Sequence, residues 1–242
     1  MVQRTKRGWA NTQEGYAGMQ LLSGKEVAQA KEAWLTEEIK KIGNVEVAPC
    51  LAVIIVGENP ESQTYVASKI KTAQRIGMRS FDLRLPADIS QDRLEAEVRN
   101  LDSDSTVHGI LCQLPLPEHL DGTRITRLIN PAKDVDCFHP YNYGLLAQGV
   151  PALKPCTPAG ILEMLDYYKI SVVGKHVVVL GRSNIVGRPL SLMFSQKGRD
   201  ASVTLCHSRT TNLAQLTNQA DILAVAMGRP EAVGADMVPE GC

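Results

Sequence analysis

Five clusters of side chains in this 242-residue chain have types and spacings suited to chemistry. Tyr65-Val-Ala-Ser-Lys69 sets a phenol and an amine four residues apart, on one face of any helix that contains them. Gly109-Ile-Leu-Cys-Gln-Leu-Pro-Leu-Pro117 carries Gln113, then Leu114 and Pro115, at the end of an apolar run. Pro131-Ala-Lys-Asp-Val-Asp136 holds two acids and a base in a turn. Val177-Val-Val-Leu-Gly181-Arg182-Ser183-Asn-Ile-Val-Gly187 runs from a buried strand through a polar loop into a helix. Such a turn aims backbone N–H groups and a helix N-terminus at a pyrophosphate. Cys206-His207-Ser208-Arg209-Thr210 follows at the end of the next strand.

The elements that position these groups alternate. Leu21–Ile42 is predicted helical, capped by Ser23, with Val27, Ala30, Ala33, Trp34 and Ile39 at helical spacing. The continuous apolar run Leu51–Val56 predicts a buried parallel strand, which has no wet face and does not alternate. A helix over 63–76, a strand over 80–85, a helix over 91–101 opened by Ser90, a strand over 107–111 and a short helix over 125–129 follow. Pro151, Pro155 and Pro158 mark a break, with Pro158 expected at the first position of a helix over 159–168. A second series then begins: strand 175–180, helix 186–196, strand 202–206, helix 212–219 and strand 222–227. Strand–helix alternation implies parallel sheets with helices on both faces. The expected architecture is α/β in two domains. Residues 21–150 form the first, and residues 151–242 a Rossmann-like second, with a cleft between them. Functional groups at the C-terminal ends of such strands stand where ligands bind.

The glycine loop departs from GxGxxG, because Ser183 takes the middle position and Gly187 comes one residue late. NAD-binding units place an acid at the end of the second strand to hold the ribose hydroxyl. Here His207, Ser208 and Arg209 stand instead, and with Arg182 they suit a 2′-phosphate. The expected cofactor is NADP rather than NAD.

Lys+Arg and Asp+Glu both number 26, so the formal charge is zero. That excludes a protein held to nucleic acid or anionic membrane by bulk electrostatics. No stretch approaches the roughly 18 apolar residues of a membrane span. Six cysteines and five histidines form neither a CxxC pair nor zinc-ligand spacing, so reduced cytoplasmic thiols and no metal are expected. Residues 1–20 carry Arg4, Lys6 and Arg7 ahead of the first acid, Glu14, and read as a disordered basic tail.

YxxxK also marks short-chain dehydrogenases, but there the glycine loop precedes it within one domain, whereas here it follows by more than a hundred residues. Tyr65-x-x-x-Lys69, the segment 107–117, Lys133-Asp-Val-Asp136, Lys154-Pro-Cys-Thr-Pro158, Gly181-Arg-Ser-x-x-Val-Gly187 and Cys206-His-Ser-Arg-Thr210 occur in that order. From about Leu22 to the last residue the chain resembles the bifunctional methylenetetrahydrofolate dehydrogenase/methenyltetrahydrofolate cyclohydrolase family.

The resemblance implies NADP-linked oxidation of 5,10-methylenetetrahydrofolate, then hydrolysis to 10-formyltetrahydrofolate in the same cleft, by a homodimer. It casts Lys69 as the catalytic lysine, Tyr65 as the aromatic lining the folate, Gln113 as the partner of the lysine and Asp136 as the pterin anchor. Leu114 and Pro115 join the substrate site, and Gly181, Arg182, Ser183, Gly187, His207, Ser208 and Arg209 the cofactor site. Cys137 stands where the family usually has glycine. A positive φ there would strain the turn and push the Asp136 carboxyl aside. Tyr141 and Tyr143 stand where smaller residues are usual. After Gly228-Arg-Pro230 the family continues with a strand, a Pro/Gly-rich loop and a final helix. Their absence implies an exposed sheet edge, weak dehydrogenase activity and ready aggregation. Two alternatives stand beside the main reading: a member keeping one activity, and a non-catalytic dinucleotide-binding or dimerising member.

Overall fold

A computed structural model describes residues 20–42 and 48–239, so the tail expected over 1–20 lies outside the described residues apart from Gln20. The first half runs α1 (Gly24–Ile42), β1 (Cys50–Val56), α2 (Pro60–Arg75), β2 (Arg79–Leu85), α3 (Gln91–Ser103), β3 (Gly109–Cys112), α4 (Gly122–Leu128) and α5 (Pro140–Ala147). Its three strands are parallel in the order β2-β1-β3. The second half runs α6 (Cys156–Tyr167), β4 (His176–Leu180), α7 (Gly187–Ser195), β5 (Ser202–Cys206), α8 (Leu213–Asn218) and β6 (Ile222–Val225). Its strands are parallel in the order β5-β4-β6.

Both central strands are apolar on every residue but His176, the first of β4, because both faces are covered. On one face of the first sheet Ala52, Ile54 and Val56 pack with Leu94 and Val98 of α3 and Ile125 of α4. On the other, Val53 and Ile55 meet Val66 of α2. In the second sheet Val177 and Val179 face Leu162 of α6 and Leu190, Met193 and Phe194 of α7, while Val178 and Leu180 face Leu213 and Leu216 of α8. Each sheet has its oldest strand in the middle, so the chain order reverses at β1 and at β4. Ligands sit at the carboxyl ends of strands at such reversals. Among the described residues no helix is long and apolar enough to cross a membrane.

Several local expectations change. α2 starts at Pro60, because Asn59 accepts from the Ser62 N–H and Pro60 fits the first turn. α6 starts at Cys156 with Pro155 at its N-cap, so Pro158 is the third helical residue and not the first. β3 begins at Gly109 rather than Val107 and ends at Cys112, which leaves Gln113 just beyond the strand. α5 was not foreseen, since it lacks a helical apolar stripe. α1 begins at Gly24, just after Ser23 and not at Leu21, and none of its residues is fully buried, with Trp34 55% exposed. It is held at its margins by Lys31–Glu163 and Arg75–Glu32 ion pairs. Ser90 caps α3 as expected, accepting from the Arg93 N–H at 3.3 Å.

Candidate functional site

The side chains gather where the first sheet reverses. Lys69 lies on α2, which leaves β1, and Gln113 lies just past β3, the neighbour of β1. The Gln113 N–H donates to the Ile54 carbonyl at 2.9 Å, so the β1–β3 register fixes its backbone. Its side-chain oxygen then accepts from Lys69 Nζ at 3.0 Å, and its amide nitrogen donates to the Leu114 carbonyl at 2.8 Å. A neutral amide held at both ends orients the amine without adding charge.

These groups line a cleft of about 400 Å³ with Tyr65, Leu114 and Asp136. Tyr65 is 63% exposed at its lip, one helical turn from Lys69. Pro115 follows Leu114 across a cis peptide and lies outside the lining. The opposite wall belongs to the second half: Cys156 and Thr157 from the start of α6, and Ile185 from the glycine loop. Sequence reasoning missed these three, together with Phe138 and Cys112. The Pro-Cys-Thr-Pro motif at a helix start was the available signal for two of them.

Burial pushes the Asp136 carboxyl above the ordinary aspartate value, and the nearby Lys69 charge opposes that rise. Burial also pushes the Cys112 thiol up to about 12 and the Cys156 thiol up to about 11, with Asp136 adding to both. Neither is a thiolate at neutral pH, which removes cysteine nucleophiles from the chemistry of the cleft. The Cys156 thiol donates to the Val135 carbonyl at 3.6 Å.

The turn carrying Asp136 is built from below. Asp134, 2% exposed, accepts from the N–H groups of Phe138 at 3.2 Å and His139 at 2.9 Å and from Asn142 Nδ2 at 3.0 Å. Asn142 donates also to the Pro131 carbonyl at 2.8 Å. Lys133 donates to the carbonyls of Leu101, Asp102 and Asp104 around the end of α3. Cys137 takes φ 58° and is fully buried, so the expected left-handed strain is present. The Asp136 carboxyl nevertheless stays in the cleft, contrary to the displacement expected of a β-carbon at residue 137.

The glycine loop closes tightly. Gly181 has φ 118°, and a β-carbon there would meet the Ala226 carbonyl. A β-carbon on Gly187 would overlap the Gly181 carbonyl, with the Gly181 carbon at 2.5 Å. Only glycine lets the start of α7 approach β4 this closely, and that leaves N–H groups and no side chain facing a ligand. Ser183 Oγ accepts from the Val186 N–H at 3.1 Å and so shapes the loop from within. At the end of β5, His207 Nδ1 accepts from the Arg209 N–H at 3.1 Å, and the His207 N–H donates to Thr210 Oγ1 at 2.8 Å. Arg182, Ser208 and Arg209 are exposed, and neither arginine has an acidic partner among the described residues. Of the seven cofactor-site residues expected from sequence, Ser183 lines a chamber beside the cleft. The residues present fit a dinucleotide: a side-chain-free cradle, with guanidinium groups that have no acidic partner among the described residues at Arg182 of the glycine loop and at Arg209 beyond β5.

A glycine-loop nucleotide domain set against a cleft with an amide-held lysine and a half-buried acid defines a two-domain α/β enzyme that uses a dinucleotide. Comparison with known proteins agrees. Residues 22–136 match the tetrahydrofolate dehydrogenase/cyclohydrolase catalytic domain, and residues 155–242 match the NAD(P)-binding domain of the same family. The bifunctional protein FolD of Bacillus cereus strain AH187 is 46% identical over 221 residues, 91% of this chain and 77% of the relative. The crystal structure of bifunctional FolD from Campylobacter jejuni superposes with a TM-score of 0.87 at 42% identity, over 91% of this chain and 78% of that one. The Trypanosoma brucei dehydrogenase-cyclohydrolase, solved with NADP cofactor and inhibitor, gives 0.84 at 38% identity, over 89% and 74%. The chain belongs to the tetrahydrofolate dehydrogenase/cyclohydrolase family.

Proposed function

We propose that the chain oxidises 5,10-methylenetetrahydrofolate with NADP and hydrolyses the methenyl product to 10-formyltetrahydrofolate in one cleft. The observation that carries this reading is the Lys69–Gln113 hydrogen bond in a cleft shared with Asp136 and walled by Ile185 of the glycine loop. Asp136 anchors the pterin by accepting from its N–H donors, and Tyr65 offers a flat face for the rest of the folate. Gly181, Arg182, Ser183 and Gly187 hold the pyrophosphate side of the cofactor, and His207, Ser208 and Arg209 the 2′-phosphate. When bound, the dinucleotide supplies the hydride acceptor. Hydride loss leaves a cationic N5–C–N10 bridge, so oxidation asks the protein for alignment and not for a strong base.

Hydrolysis asks for more. Water adds to the bridge carbon and loses a proton, and a proton reaches N5 as the C–N5 bond breaks, leaving the formyl group on N10. Lys69 is the group that moves this proton, and Gln113 keeps its amine aimed at the bridge. The two activities share one substrate pose, and we place the division between the two domains near residues 150–158.

The experiment is a spectroscopic assay of methenyl formation and decay from methylenetetrahydrofolate, with NADP and with NAD, on wild type and Lys69→Gln. NADP is the preferred cofactor. In the variant hydrolysis falls on the order of 10²-fold or more, the usual scale of a lost proton shuttle, and oxidation falls far less. An equal fall in both steps, or in neither, removes Lys69 from this role.

A further inference from the structure

α1 belongs by sequence to the first half, yet it is stitched to both halves. Its N-terminal end is held by α6 of the second half. Tyr168, the C-cap of α6, accepts through its hydroxyl from the Ser23 N–H at 2.8 Å and donates to Glu26 Oε2 at 3.1 Å. Lys31 pairs with Glu163 of α6 at 2.7 Å. Leu22, just ahead of the helix, packs on the core of the second half. The C-terminal end of α1 is held by the first half. Glu32 accepts from Arg75 of α2 at 2.6 Å, and Ile39 stands 3.4 Å from where a β-carbon on Gly77 would be. No residue of α1 is fully buried, so the helix adds little to either core. A groove of about 390 Å³ runs along it, lined by Val27, Ala30 and Trp34 of α1 and Tyr167 of α6. The helix therefore rests on α6 at polar points and not on a packed face.

The two helices that α1 joins also carry opposite walls of the cleft. α2 supplies Tyr65 and Lys69 from its middle, and α6 supplies Cys156 and Thr157 from its first turn. At a rise of about 1.5 Å per residue, Arg75 lies about 9 Å beyond Lys69 along α2, and Tyr168 about 18 Å beyond Cys156 along α6. Each helix is a lever with the cleft at one place and α1 at its far end. We propose that α1 is a strap that sets the width of the cleft, with Tyr168 as the positioning residue that fastens it to the second half. Tyr168 lines neither wall of the cleft and acts through α6. Releasing the strap lets the far ends of α2 and α6 move apart, and the separation of Lys69 from Thr157 changes with them. A ligand that spans both walls feels that change, whereas one held by the glycine loop and the end of β5 does not. The inference rests on the folate reading of the cleft, because folate is the ligand that spans it.

The test uses the whole chain and four variants: Tyr168→Phe, which keeps the ring and removes the hydroxyl, Lys31→Glu, Glu163→Lys, and the double exchange of the last two. KM and kcat for methylenetetrahydrofolate are read beside the NADPH dissociation constant from a fluorescence titration. Lys31 and Glu163 are exposed, so the reversals leave the fold intact. KM rises roughly two- to fivefold in each single variant, the scale of one hydrogen bond or one exposed ion pair, while NADPH affinity keeps its wild-type value. The double exchange restores the ion pair and returns KM towards wild type. A chain that had only lost stability, and was still folded, would keep its KM. An unmoved KM in Tyr168→Phe, a parallel loss of NADPH affinity, or a double exchange no better than the single reversals overturns the strap alone. A wild-type chain that turns over no methylenetetrahydrofolate overturns the folate reading with it.

Discussion

Replacing Asp134 by Ala should weaken both the fold and the site, although Asp134 itself does not line the cleft. Its carboxyl oxygens accept three hydrogen bonds, from the Phe138 and His139 N–H groups and from Asn142 Nδ2, at 3.2, 2.9 and 3.0 Å. Alanine takes the acceptor from all three donors, leaving Asn142 Nδ2 only the Pro131 carbonyl, in a region where Asp134 is 2% exposed and Asn142 3% exposed. An unmet buried donor costs about 1–3 kcal/mol, so three give an upper bound near 9 kcal/mol. The vacated volume admits a water that recovers part of this, and about 3 kcal/mol is the working figure. For a protein of this size that lowers Tm by roughly 6–12 °C. Asp134→Asn keeps the shape and one acceptor but turns an NH₂ towards donors, and costs less, about 1–2 kcal/mol. Thermal unfolding followed by circular dichroism ranks the variants: wild type, then Asn, then Ala. Asn142→Ala should be strongly non-additive with Asp134→Ala, because both remove the same contact. Since residue 136 hangs from this turn, KM for the folate should rise in step with the loss of stability. A Tm within about 2 °C of wild type for Asp134→Ala would refute the claim that this network supports the turn.

Asp136→Asn should trade affinity for stability. The folded carboxyl lies above its ordinary value of 3.8, so the folded chain binds a proton more tightly than the unfolded one. The stability linked to that proton is complete below 3.8 and is lost as pH rises through the higher folded value. Asn removes this loss, so the variant unfolds at a higher temperature than wild type at pH 7 and not at pH 3, while folate affinity falls; a variant no more stable at pH 7 sinks the linkage argument. Gly187→Ala forces a β-carbon into the Gly181 carbonyl, backbone against backbone. It should cost about 1–3 kcal/mol and abolish binding in an NADPH fluorescence titration, and unaltered NADPH affinity would show the loop to be tolerant. Glu95, with a side chain 3% exposed, contacts Arg99 at 2.9 Å and Arg124 at 2.5 Å. The hydrogen bond from Gln91, then the two arginines, holds its carboxyl below the ordinary 4.5. That contribution is present above pH 4.5 and lost as pH falls through the lower folded value, so Glu95→Gln should be destabilised at pH 7 and approach wild type in acid; a pH-independent difference would contradict it.

The sheets were legible because a buried parallel strand has no choice of composition. Cys50–Val56 and His176–Leu180 are apolar almost throughout, and glycine follows each. Helix starts were legible where a side chain caps them locally, as Ser90 does. α5 was not, because its first turn depends on Asp134 and His139 rather than on any stripe of its own, and Asp134 reaches it from outside the helix. α1 misled in the other direction. Its apolar spacing is real, but spacing reports a face and not what covers it.

The candidate site divides along the same line. Lys69, Gln113 and Asp136 could be singled out by residue type and by their places at strand ends, but their meeting could not. Lys69 and Gln113 are 44 residues apart, and their 3.0 Å contact exists only because β1 and β3 pair in one register. A shift of that register by one residue would turn Gln113 to the other side of the sheet edge. Cys156 and Thr157 come from the far unit, so no local pattern announces that they face Asp136. Cys137 shows the limit most clearly. A cysteine after Asp136 carries no local signal of positive φ, and only the family resemblance flagged the turn. The left-handed backbone is there at φ 58°, with the side chain completely buried. Asp136 keeps its place because Asp134 fixes the turn from both sides, and a network of three hydrogen bonds outweighs the roughly 1–2 kcal/mol that one left-handed residue costs.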